Sequence, residues 1–316
     1  MDDQFDTPAT LRSAPVVNPA LLEHLLNVGG ADLRPVLAQQ ICADFTRLAG
    51  AIQAVEWGIA KIRADQVWSL LGVTGAGAVV GGQDTGYQWD HPALKGKYRG
   101  WDGSTADHDY NWHDAIHKND PHTGPGNPCG FNSAVPCDDQ GHGTHTMGTM
   151  VGETATRQIG MAPGARWIGC RNMEQGWGTP ATYTECYEWF IAPYPIGGNP
   201  MTDGDPARAP HVINNSWSCL EVEGCTADDV LLAVVEAVRA AGIVTVHSAG
   251  NTGSNCGSVE NPAAIYDASF TVGATNEEDN IAGFSSRGPV LADGSARRKP
   301  DIVAPGTGVE SSYPGG

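Results

Sequence analysis

Asp138-Asp139-Gln140-Gly141-His142-Gly143-Thr144-His145-Thr146-Met147-Gly148-Thr149-Met150-Val151-Gly152 reads as a coil tightening into a helix whose surface is kept small. Glycine inside a helix costs roughly 0.5 to 1 kcal/mol relative to alanine, so Gly143, Gly148 and Gly152 imply another backbone element lying almost against them. A buried helix of this kind is the expected centre of the fold, with His142 as its catalytic histidine. His142 and His145 stand three apart, which is half of a zinc site, but no further ligand follows at a recognisable spacing. No metal site is assigned, and His145 reads as a hydrogen-bonded core residue.

On the N-terminal side, the small and β-branched run 75–82 predicts a buried strand that ends in Gln83-Asp84-Thr85-Gly86. A carboxylate at the C-terminal end of such a strand stands where open α/β sheets place their chemistry. On the other side, residues 165–170 predict a strand, 181–191 a helix, and 211–215 a buried strand emerging into Ser216-Trp217-Ser218. A helix then starts from Thr226 as N-cap, with Asp228 and Asp229 in its first turn and Val230, Leu231, Val234, Val235 and Val238 on its apolar face. Arg239 falls in its last turn and Gly242 suits its end. Residues 243–247 predict the next strand, running into Ser248-Ala249-Gly250-Asn251. This alternation predicts an α/β fold, a three-layer sandwich with a mostly parallel central sheet flanked by helices on both faces.

The chain has 316 residues, with 18 basic against 36 acidic side chains and a net charge of -18. Such a surface repels nucleic acid and anionic membranes, and no apolar run is long enough to span a bilayer. Residues 1–52 form a separate segment with leucines at helical spacing, read either as a helical extension or as the remnant of a prosegment; residues 53–316 are the main domain. Among eight cysteines there is no CxxC pair. Cys129 with Cys137 and Cys219 with Cys225 close short loops, which fits disulfides and an oxidising compartment; Cys170 and Cys186 are a candidate third pair, and Cys42 and Cys256 are left open. The long stretch 91–136 reads as surface loop with His108, His113, His117 and His122 solvated, and with Asp102, Asp107, Asp109 and Asp120 as a weakly signalled cation cluster.

From about Val55 onward the chain resembles the subtilisin-like serine proteases, most closely their bacillopeptidase F-like branch. The matching blocks are Asp84-Thr85-Gly86, His142-Gly143-Thr144-His145, Asn214-Asn215-Ser216-Trp217, Ser248-Ala249-Gly250-Asn251, the block from Phe284 to Pro289, and the block from Lys299 to Gly306; Trp89-Asp90-His91-Pro92-Ala93-Leu94 and the Lys97-to-Trp101 run point to the branch. The resemblance implies a serine endopeptidase with a polypeptide substrate, secreted, monomeric and without an organic cofactor. It implies His142 as general base, Asp84 as the carboxylate that orients it, and Asn251 as donor to the oxyanion. Ser216, Trp217 and Ser218, with Ser248, Ala249 and Gly250, would wall the pocket for the residue before the scissile bond, and Glu260 would place a carboxylate near that pocket's floor to favour Lys or Arg.

Several positions depart from the family pattern. Ser218 replaces the usual glycine, and Gln83 replaces an aliphatic residue, with the chance of a hydrogen bond near the Asp84 carboxylate. Ala93 stands where many relatives have a calcium-binding aspartate, and residues 152–160 lack the usual calcium loop, so calcium is left without a site. The block that carries the family's nucleophilic serine is not found: Ser311 and Ser312 match the strand ahead of it. The expectation is a chain truncated before its nucleophile, inactive by itself and with apolar surface left uncovered. Two rival readings remain, a pseudoprotease that binds peptide without cleaving it and, more remotely, an aspartic protease built on Asp84-Thr85-Gly86, for which a second such triplet is absent.

Overall fold

The computed structural model describes residues 54–315, and the readings for residues 1–52 lie outside it. Along the chain, a short parallel pair is made by β1 (Ala54–Val55) and β4 (Arg157–Gln158), and a hairpin by β6 (Met173–Glu174) and β7 (Trp177–Gly178). The remaining strands, β2 (Val79–Asp84), β3 (Trp112–Asp114), β5 (Arg166–Arg171), β8 (Val212–Asn215), β9 (Val244–Ser248), β10 (Phe270–Thr275) and β11 (Ile302–Pro305), form one sheet in the order β11-β10-β9-β8-β2-β5-β3. Every pairing in it is parallel. The helices are α1 (Trp57–Lys61), α2 (Ala64–Leu71), α3 (His142–Val151), α4 (Pro180–Ile191) and α5 (Leu232–Ala240).

Alternation along the strands sorts side chains into two cores. Trp167 packs with Tyr87, Trp112, Met147 and Val151 under α3, whereas its neighbour Ile168 packs with Tyr187, Phe190, Val235 and Val238 of α4 and α5. The sheet is thus covered on both faces, as parallel sheets require. On the α3 face, Val244 and Phe270 are 53% and 42% exposed, so apolar surface does stay open there.

The sheet order also fixes where chemistry is expected. From β2 the chain builds outward through β5 and β3 on one side and through β8, β9, β10 and β11 on the other. The crevice at such a reversal opens at the C-terminal ends of the two central strands. Those ends are Asp84 of β2 and Asn215 of β8.

Three local readings are corrected. The strand expected at 75–82 begins at Val79, because Gly75 and Gly77 take φ values of +87° and +86° in a turn closed by Ala78 N–H to Gly75 O. The helix expected from Thr226 begins at Leu232: the preceding residues run in turns from the Cys219–Cys225 disulfide, and Leu231 is buried with its N–H donated to the Tyr266 hydroxyl at 3.2 Å. The long loop contains β3, where Trp112 and Asp114 point inward and His113 lies between them.

Of the loop histidines, His117 and His122 are exposed, as expected, whereas His108 and His113 are partly buried, and all four have a side-chain partner. His113 and His117 both meet the Glu185 carboxylate, at 2.7 and 2.9 Å, His122 meets Asp120 at 2.8 Å, and His108 bonds the Tyr98 hydroxyl at 3.0 Å. Disulfides join Cys129–Cys137, Cys170–Cys186 and Cys219–Cys225; Cys256 is free and exposed, and Cys42 lies outside the described residues.

Candidate active site

Asp84 ends β2 with no solvent exposure. Its Oδ1 accepts the Thr85 N–H at 2.7 Å and faces Nδ1 of His142 at 2.7 Å, while Oδ2 accepts the Thr146 hydroxyl at 3.3 Å. The imidazole is 44% exposed on its other side. The hydrogen bond to Asp84 raises the His142 pKa above the ordinary histidine value; burial opposes it, and the charges of Asp84 and Asp138 add to it. Nδ1–H donation to the buried carboxylate leaves Nε2 as the free acceptor facing the cleft.

The start of α3 is held by Asp138, whose importance the sequence did not reveal. One of its oxygens accepts from Gly141 N at 2.7 Å and from the Thr85 hydroxyl at 2.8 Å; the other accepts from Thr144 N at 2.9 Å and the Thr144 hydroxyl at 2.6 Å. It therefore satisfies the unpaired N–H groups of the first helical turn from a position before the helix and ties them to β2. Aspartate three residues ahead of the αL Gly141 was the available signal.

The small residues of α3 have the use expected of them. A Cβ on Gly143 would overlap the Gly86 carbonyl oxygen and come within 3.1 Å of Asp84 Cβ, and one on Gly148 would overlap the hydroxyls of Ser311 and Ser312. We expect Gly143→Ala to destabilise the fold by about 1 to 3 kcal/mol in denaturant melts, since the obstacle is backbone. A melt within error of wild type would show that the contact can relax.

Ser311 and Ser312 donate to the carbonyls of His145 and Thr144 at 2.7 and 2.8 Å, and so pack along α3. His145 itself is half-buried, its pKa lowered by burial and by the His142 charge, against a hydrogen bond to the Val309 backbone. Gln83 does not reach Asp84: its amide donates to Asn215 Oδ1 at 2.6 Å and accepts from Asn172 at 3.0 Å, bridging the central strands below the site. The four loop aspartates do not converge, Asp102 capping a turn at Ser104 and Thr105 and Asp120 engaging His122. Among the described residues no group of three His, Cys, Asp or Glu is placed to hold a metal ion. Where a calcium loop was missed in the sequence, the Gln158 amide donates to the carbonyls of Gly152 and Gly160 at 3.3 and 2.7 Å.

A cleft of about 380 Å³ brings the remaining candidates together: His142, Ser216, Trp217, Ser218, Ser248, Gly250 and Asn251 all line it. Asn251 is exposed there and follows Gly250, whose φ of +99° turns the chain into the cleft. That turn is braced by the Phe284 block, through Ser286 N–H to Gly250 O at 3.0 Å and Thr252 N–H to Ser286 Oγ at 3.2 Å. Ala249 is buried beneath the wall in the core. Glu260 is exposed and outside the lining, because Val259 and Pro262 on either side are buried and turn it to solvent. The carboxylate in the cleft is that of Glu223, from the Cys219–Cys225 loop. A larger hollow of about 770 Å³ against α4 contains neither His142 nor Asn251.

The model of the Subtilase family matches residues 75–315. The chain belongs to the subtilase family. Over 274 residues this subtilase is 41% identical to bacillopeptidase F of Bacillus subtilis (strain 168), which covers 84% of this chain and 17% of that protein. It is 30% identical over 257 residues to serine protease AprX of the same organism, covering 76% of this chain and 48% of the relative. Subtilisin Savinase of Lederbergia lenta is 29% identical over 265 residues, 83% of this chain and 76% of the relative. The subtilase chain thus spans less than a fifth of the first of these relatives and about half of the second.

Proposed function

We propose that the chain provides the binding cleft and the acid–base machinery of a serine endopeptidase acting on polypeptides. The carrying observation is the 2.7 Å contact between Asp84 and His142 Nδ1, with the ring's other edge open to the cleft it shares with Asn251. In this reading His142 Nε2 takes the proton from a serine hydroxyl as it attacks the substrate carbonyl. The Asn251 amide donates to the resulting oxyanion, and His142 then delivers the proton to the leaving amine. Water repeats the sequence on the acyl intermediate.

The nucleophile is proposed to lie on a segment other than these 316 residues. Ser216, Ser218 and Ser248 line the cleft, yet the His142 side chain makes no hydrogen bond to a hydroxyl among the described residues. The partner of Asp84 is an imidazole and not a second carboxylate, which disfavours the aspartic-protease reading. Three disulfides suit work in an oxidising compartment.

The test is labelling of the full-length gene product with a serine-directed fluorophosphonate, alongside hydrolysis of a denatured protein substrate. We expect both in the wild type and neither in His142→Ala. Peptide binding without labelling would establish the non-cleaving alternative, and inhibition by pepstatin-type compounds alone would sink the serine mechanism.

A further inference from the structure

Glu223 is 8% exposed and lines the cleft that holds His142 and Asn251. Both of its oxygens are fixed: Oε2 accepts the Leu220 N–H at 2.8 Å, and Oε1 accepts the Gly178 N–H at 3.2 Å and the Tyr183 hydroxyl at 3.1 Å. All three donors are neutral, and among the described residues no Lys, Arg or His forms an ion pair with this carboxylate. Asp120 lies near enough to add to the negative potential. A carboxylate held in place and left without a cation is unfavourable in a buried setting, and it attracts any positive group that can reach it.

Part of the cleft lining is apolar. Trp217 stacks on Tyr183 with ring centres 4.0 Å apart and planes 5° from parallel, and Met173 and Leu220 complete the wall. An apolar stretch of wall with a single carboxylate suits a side chain that has an aliphatic stem and a cationic head.

We propose that Glu223 is a specificity-determining residue that selects substrates with lysine or arginine on the amino side of the scissile bond, its carboxylate receiving the cationic head group. This rests on the peptidase reading, which supplies the direction in which substrate lies along the Ser216–Ser218 wall. The carboxylate sought at Glu260 is thereby placed on a different loop, pinned by a disulfide and three hydrogen bonds rather than solvated.

The test uses peptides that differ at one position, scanned through the residues preceding the scissile bond, carrying arginine, its neutral isostere citrulline, or leucine. Affinity is read by Trp fluorescence, and cleavage rates are read where turnover occurs. In the wild type we expect arginine to bind roughly fivefold to tenfold tighter than citrulline at one position, the difference between a charge-assisted and a neutral hydrogen bond. Glu223→Gln should bring that ratio close to one, and Glu223→Asp should keep a preference for arginine. If Glu223→Gln weakens all three peptides alike, the residue is only structural and the inference falls. An undiminished arginine preference in Glu223→Gln would refute it while leaving the peptidase reading intact, whereas failure of the full-length protein to bind or cleave any peptide removes both.

Discussion

Asp84→Asn in the full-length enzyme is expected to lower kcat by roughly 10⁴-fold while leaving the fold in place, the size of loss seen when a triad's acid becomes an amide. Oδ1 accepts both the Thr85 N–H and the His142 Nδ1–H. With its oxygen at that position an amide keeps both bonds but has lost the charge that stabilises the imidazolium; with its N–H there it gives up the Thr85 bond and favours the tautomer with its proton on Nε2. In the proposed mechanism Nε2 is the atom that accepts the hydroxyl proton, so either arrangement weakens the base with little change in shape. The same substitution removes the largest influence on the His142 pKa, which is the hydrogen bond to Asp84. In the wild type the raised value shifts the rise of the proposed activity, which needs the neutral ring, to higher pH than an ordinary histidine would give. The stability contributed by the charged pair runs the other way: it is present below the unfolded-state pKa and is lost as pH climbs through the folded one. An NMR titration of His142 should move its midpoint down in Asp84→Asn, and this readout needs no turnover. A variant keeping activity within tenfold of wild type, or an unmoved midpoint, would show that Asp84 is not the orienting group.

How much of this was legible follows from where each signal resides. β2, β5, β8 and β9 announce themselves as short apolar or β-branched runs, and α4 carries its start in Thr179 and Pro180. Asp84, His142 and Asn251 sit in local motifs that the fold brings to one crevice. β3 was hidden because three residues on a sheet edge carry almost no periodicity, and Trp112 and Asp114 become strand only by pairing with Gly169 and Arg171. Glu223 and Asp138 were hidden for a related reason. Their roles depend chiefly on contacts made across the chain, such as Asp138 with Thr85 and Glu223 with Gly178 and Tyr183, and only Asp138 left a local trace, its spacing from Gly141. The helix start at Thr226 was misplaced because a good capping residue is only a local preference, and burial of Leu231 beside a disulfide-closed loop outweighed it.

Arg171 is another group of this hidden kind, and Arg171→Met is expected to cost about 3 to 5 kcal/mol of stability, the range for removing one partner of a buried ion pair. Its guanidinium is fully buried at the end of β5, where Nε and Nη2 each meet an oxygen of Asp114 at 2.9 Å. Nη2 also donates to Gly130 O at 2.6 Å, and Nη1 lies 3.4 Å from Asp139. Methionine fills much the same space but abandons two carboxylates that water does not reach. The loss should depend on pH in a defined direction. Asp139 is already pushed up to about 6 by burial, with the Arg171 charge among the influences holding it down. Its folded-state value lies above its unfolded one, so stability declines as pH rises through that window. Without Arg171 the value moves higher and the decline extends further, so the deficit of the variant grows with pH and shrinks as Asp139 takes up a proton. Function should weaken with it, because Asp139 also accepts the Gln175 N–H at 2.9 Å and so secures the hairpin of β6 and β7 beside the cleft. Denaturant melts above and below the Asp139 midpoint measure both effects. Adding Asp114→Asn to Arg171→Met should restore part of the stability, since one stranded charge is then gone. An equal deficit at every pH, with no recovery in the double variant, would mean that the guanidinium contributes packing alone.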